Sequence, residues 1–236
     1  MIKSYIRASR NPFYSFILVI PLFILYEILI TLINYNLPFQ IRNGADVLIR
    51  RLLFFSGEYS EFILIGILLM CSSLFWWKGS KIVKNDGLEY QIPIIMILES
   101  LVYAVIIYLS FIKLPEILII GDETVSIIQT LTLAIGAGIF EEILFRLILF
   151  AGTMVLLTKI FQLDKVGAFF TALVFSSVLF SLFHYMGSFG DPFIWQSFLQ
   201  RSLAGGILCG IYFFRGFGIC AFCHVFYNFI VIHFNM

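Results

Sequence analysis

Seven apolar runs, most of them close to or beyond the roughly 20 residues that cross a bilayer, set the limits on what this chain can become. They fall near 14–33, 60–77, 92–112, 126–158, 166–184, 196–213 and 217–234. With 61% of its 236 residues hydrophobic and 12% charged, the chain has too little polar surface to cover a soluble core. In hydrocarbon each backbone N–H and C=O must be satisfied within the protein. The expected fold is therefore all-α, a polytopic transmembrane helical bundle of seven to eight spans. Residues 1–125 supply N-terminal spans and an interfacial loop, and 126–236 the region expected to carry chemistry, all within one integrated membrane domain.

The fourth run is too long for a simple crossing: at 1.5 Å per residue it would reach roughly 50 Å. It must tilt, extend beyond the bilayer or break, and Gly136, Gly138 and Gly152 are its weak points. The same run holds Glu141, Glu142 and Arg146, although an ion moved toward hydrocarbon costs several kcal/mol unless it is paired or faces water. Glu142 and Arg146 stand at i and i+4 and can pair on one helix face. Glu141 points roughly 100° away and is left without that partner. Two carboxyls in such different settings should titrate differently, the asymmetry that general acid–base chemistry needs.

Two later runs carry further polar groups. His184 ends the fifth, four residues after Phe180, and His224 and Asn228 share one face of the last. A carboxylate, two histidines and an amide on three spans can converge only in a polar pocket at membrane depth. Such a set suits hydrolysis. Glu141 would take a proton from water, His184 would orient that water or relay the proton, and His224 with Asn228 would donate hydrogen bonds to a developing oxyanion. No serine sits in a nucleophile-elbow pattern, and Cys223 is beside His224 in sequence but not on its helix face, so attack without a covalent intermediate is expected.

In order and spacing these residues resemble the type II CAAX prenyl proteases and bacteriocin-processing (Abi-type) proteases, the CPBP family of intramembrane proteases. That family's pattern is Glu-Glu-x-x-x-Arg, then Phe-x-x-x-His, then His-x-x-x-Asn, read here from Glu141 to Arg146, Phe180 to His184 and His224 to Asn228. The segment from Gly206 through Gly210 to Tyr212 is also similar, and the likeness covers roughly 138–230. It implies endopeptidase activity in or near the membrane on a membrane-associated peptide or protein, prenylated or leader-containing. It also implies that Glu141 and His184 activate water, that His224 and Asn228 form the oxyanion site, and that Glu142 with Arg146 supports the site structurally. Some members of the family act as scaffolds or in bacteriocin immunity, so a non-catalytic role is the alternative outside enzymology.

No cofactor is expected to be required. The competing version is zinc held by Glu141, His184 and His224, a known ligand set with one position open for water, although no His-Glu-x-x-His helix is present. Cys220-x-x-Cys223-His224 spells a haem-attachment pattern, but inside an apolar span it reads as packing. The cysteines, Cys71 and Cys209 included, show no disulfide framework. A transporter would need a pair of similarly broken spans, and none is evident.

A net charge of +1 gives no sign of a nucleic-acid partner, which leaves the lipid bilayer and a membrane-associated substrate. Lys3, Arg7 and Arg10, then Lys78, Lys81 and Lys84, then Lys159 and Lys165, then Arg215 fall on one side, assigned to the cytoplasm of a multi-pass cell-membrane protein with a retained first span. Arg42, Arg50 and Arg51 dissent. Interleaved with Ile41, Val47, Leu48, Leu52 and Leu53, they suggest an amphipathic segment on the membrane surface. Trp76 and Trp77 mark an interface, His233 reads as interfacial, and Gly205, Gly206 and Gly210 form a face for close helix approach.

Overall fold

The computed structural model describes residues 2–35, 37, 40–53, 89–111, 127–187 and 190–235. The expected span at 60–77, with Cys71, Trp76 and Trp77, lies outside them. Helix makes up 86% and no strand occurs among the described residues. The helices are α1 (Ile2–Ser9), α2 (Pro12–Asn34), α3 (Gly44–Leu53), α4 (Gln91–Phe111), α5 (Ile127–Gly136), α6 (Ala151–Lys159), α7 (Lys165–Phe183), α8 (Trp195–Arg215) and α9 (Phe217–Asn235). Between α5 and α6 two π-helical segments, Ala137–Glu141 and Ile143–Phe150, replace the α register.

Four described helices are long and apolar enough to cross a membrane: α2, α4, α7 and, over Phe217–Phe234, α9. They match the expected runs at 14–33, 92–112, 166–184 and 217–234. The run at 196–213 forms α8, but Gln196, Gln200 and Arg201 dilute its first half, and it falls outside that set. The run at 126–158 does not break into coil. It stays helical from Ile127 to Lys159 and changes register between Gly136 and Gly152, the outer pair of the three expected weak points.

The surface follows from the apolar composition. On α4, Ile92, Met96, Ser100, Ala104 and Ile107 recur every three or four residues and are buried, whereas Ile94, Leu98, Val102 and Val105 face outward. A helix apolar on all sides with its small residues turned inward suits a lipid surround, where close packing rather than water exclusion brings helices together.

At the centre, α9 packs against α4, α2 and the first π segment, while α7 packs against α8 and the second. One apolar cluster joins Phe13, Met96, Ile219 and Cys220, and a second joins Tyr26, Ile30, Ile139, Phe140 and Val225. Two glycines set the spacing around the first π segment. A Cβ on Gly138 would lie 3.0 Å from the Ala221 carbonyl oxygen, and one on Gly136 would lie 2.5 Å from the Tyr26 ring. Of the expected glycine face on α8, Gly205 meets Phe180 and Ser177, Gly206 meets Leu173 and Ser177, and Gly210 has no described neighbour within 4 Å of its Cβ position.

The arginine-rich stretch 42–51 is held by protein contacts. Asp46, fully buried, accepts from Tyr26 Oη at 2.9 Å, Arg42 at 3.1 Å and Arg50 at 2.6 Å, and both arginines also reach Glu27. The expected surface segment is therefore pinned by a neutralised cluster, with α3 seated on the first π segment. Those pairings also weaken the vote of Arg42 and Arg50 on orientation. At the other end of the bundle, Arg215 bonds Glu99 and Ser9, and Tyr5 bonds Glu99, which brings the end of α8 to α1.

Candidate active site

Glu141 closes the first π segment and Glu142 follows it, so the acidic pair sits at the register change, a feature that recurs at functional sites. The wider turn leaves carbonyls for other partners, and Ser176 of α7 donates to the Phe145 carbonyl at 2.7 Å. Glu142 and Arg146 are both fully buried, with Arg146 Nη1 3.0 Å from Glu142 Oε1, the pairing expected from their spacing. Arg146 also lies 4.4 Å over the Phe180 ring and points Nη2 at the Gly205 carbonyl, 3.4 Å away. The cation is thus held by a carboxylate, a ring face and a carbonyl, compensation that a buried charge needs.

Glu142 does more than the sequence indicated. Its Oε1 is 2.7 Å from His224 Nδ1 and its Oε2 accepts from the Cys220 thiol at 3.0 Å. A carboxylate there makes Nδ1 the protonated nitrogen, so in the neutral ring Nε2 is an acceptor. Nε2 lies 4.0 Å from Glu141 Oε2. His224 can therefore donate through Nε2 only as the imidazolium, a condition the expected oxyanion role did not include.

Glu141 is buried too, with one oxygen engaged: Oε1 accepts from Asn43 Nδ2 at 3.1 Å. Its Oε2 has no hydrogen-bond partner among the described residues. His184, the C-cap of α7, places Nδ1 2.9 Å from the Phe180 carbonyl, which makes Nδ1 the donor and Nε2 the free acceptor of its neutral form. The Phe180 ring stands edge-on to both histidines, its centroid 5.0 Å from His184 and 5.9 Å from His224.

His184, His224 and Asn228 line one cavity of about 150 Å³, together with Ser197, Gln200 and Arg201 of α8. Glu141 is not part of that lining but lies beside it, its Oε2 4.0 Å from His224 Nε2. Asn228 reaches the Ala134 carbonyl only weakly, at 3.5 Å. Thus Glu141, Glu142, Arg146 and His224 form one contiguous group, and His184 and Asn228 join it across the cavity. Among the described residues, no three His, Cys, Asp or Glu side chains are grouped so as to hold a metal ion. Cys209, Cys220 and Cys223 are free and buried.

Sequence reasoning missed two contributors. Cys220 reads from sequence as a packing residue within the haem-like pattern, yet it bonds Glu142. Asn43 lies nearly a hundred residues from the acidic pair, and its only local signal is its place at the start of α3.

Base and amide groups thus line one cavity of a bundle whose long helices are apolar enough to cross a membrane, with the acidic pair bonded to or beside His224. Residues 123–230 match the family described as Rce1-like, type II CAAX prenyl endopeptidase. Over this region the chain is similar to the CPBP family of intramembrane proteases, which are peptide hydrolases. No curated protein and no solved structure gives a significant match.

Proposed function

We propose that this protein cleaves a peptide bond of a membrane-associated peptide or protein, prenylated or leader-containing, by direct attack of an activated water. The observation that carries the reading is Glu141 Oε2. It is a buried acceptor without a described partner, 4.0 Å from His224 Nε2 and within the matched region. Glu141 takes a proton from the water as its oxygen bonds to the carbonyl carbon. His184, with Nε2 free, orients the water or relays that proton. Asn228 and the His224 imidazolium, held in place by Glu142, donate to the oxyanion. Collapse of the tetrahedral intermediate breaks the C–N bond, and the proton passes to the leaving amine, giving a carboxylate and an amine.

No cofactor is required by this scheme. The N terminus is assigned to the cytoplasm of the cell membrane because α1 and Arg215 meet at one end of the bundle while Arg42 and Arg50 are neutralised at the other. Protease protection of an N-terminal tag in right-side-out vesicles, with digestion after lysis, checks that assignment.

The test of function is cleavage of an internally quenched library of lipidated and unlipidated membrane-anchored peptides by wild type and Glu141→Gln in detergent, each with and without a chelator. Cleavage by wild type alone, indifferent to chelator, is expected. Chelator sensitivity would move the reading to zinc-bound water. No cleavage by folded wild type would move it to a scaffold or bacteriocin-immunity protein.

A further inference from the structure

We infer that Asn43, from the N-terminal part of the chain and outside the region matched to the family, is a positioning residue for Glu141. The inference rests on the proposed role of Glu141 as the base.

The two ends of one amide hold two different partners. Asn43 is the N-cap of α3: its carbonyl accepts the first helical bond from Val47 N at 3.0 Å, and its Oδ1 accepts from Ala45 N at 2.9 Å. Because Oδ1 must face that N–H, the amide cannot flip, and Nδ2 is the end directed at Glu141 Oε1, 3.1 Å away. Occupying Oε1 holds the carboxylate in one orientation and leaves Oε2 as the oxygen near His224 Nε2. A base works only when its lone pair is within reach of the proton it takes.

The cap is itself held on every side. Asn34 bonds both the N–H and the carbonyl of Ile41, which fixes the approach to α3, and Asp46 is clamped by Tyr26, Arg42 and Arg50. Gly136 lets α3 come this close, since a Cβ there would lie 3.2 Å from Asn43 Cβ as well as against Tyr26. The arginine-rich stretch that looked like a membrane-surface segment therefore reaches the acidic centre through one side chain.

The experiment uses the full-length protein in detergent with variants that separate capping from donation. Asn43→Asp and Asn43→Ser keep an N-cap acceptor, but Asp has no donor when ionised and Ser is too short to bridge to Glu141. With a quenched peptide from the library that wild type cleaves, Asn43→Ser should keep the wild-type thermal midpoint and KM, while Asn43→Asp, which sets a second carboxylate against Glu141, should lose stability as well as rate. Their kcat should fall by about 10- to 100-fold, the scale on which misplacing a reacting group acts. Independently of turnover, the carboxylate infrared band identified by its loss in Glu141→Gln should shift in Asn43→Ser. Wild-type kcat and an unmoved band in either folded variant would overturn the inference while leaving the base role of Glu141 intact. Activity in Glu141→Gln would overturn both.

Discussion

Replacing Glu142 with leucine removes the paired anion and leaves Arg146, which is fully buried, with the Phe180 ring and a Gly205 carbonyl 3.4 Å away as its remaining direct contacts among the described residues. Breaking a buried pair from one side costs about 3–5 kcal/mol, because the remaining charge is neither hydrated nor neutralised. At about 1.4 kcal/mol per tenfold, that lowers the ratio of folded to unfolded protein by two to three and a half orders of magnitude. Glu142→Leu/Arg146→Met removes both charges at similar volume, and pairs replaced in this way are often neutral or even stabilised. The double variant is therefore expected to regain at least about 2 kcal/mol over the single one. Reversible unfolding in mixed detergent micelles, followed by circular dichroism, measures both. Peptide cleavage should stay absent in the double variant, since His224 has lost the carboxylate at its Nδ1. A Glu142→Leu protein within about 1 kcal/mol of wild type, or a double variant no more stable than the single, would refute the reasoning that this charge pair is closed off from water and compensated internally.

Two further outcomes follow from the packing. Gly138→Ala would drive a methyl into the Val225 side chain and set it 3.0 Å from both the Ala221 carbonyl oxygen and the Val225 nitrogen of α9, so α9 must shift and carry His224 with it. A loss of about 1–3 kcal/mol in the same unfolding assay is expected, with a drop in cleavage larger than the loss of folded protein. Because Cys209, Cys220 and Cys223 are free but buried, a thiol reagent should leave all three unmodified in the folded protein and modify them after denaturation, read by mass spectrometry of their peptides.

Much of the candidate site was legible because its residues are costly where they stand. Glu141, Glu142 and Arg146 in an apolar run announce themselves by desolvation, and the i to i+4 interval alone pairs Glu142 with Arg146. His184, His224 and Asn228 stood out for the same reason. Less visible was the use of each nitrogen and oxygen. That Glu142 turns to His224 and Cys220 as well as to Arg146 depends on how α9 lies against the π segments, a packing relation that no local interval encodes.

The sequence by itself determined that the chain is a helical membrane protein, where its long apolar helices run and which polar groups must be sheltered together, since hydropathy and helical periodicity are local properties. Only the tertiary structure decided that the over-long fourth run changes register instead of breaking, that Arg42 and Arg50 are neutralised by Glu27 and Asp46, and that Asn43 reaches Glu141. Those outcomes rest on contacts between segments up to a hundred residues apart. Their free energy comes from satisfying buried polar groups in three dimensions, and the order of residues along the chain does not record where the partners will be found.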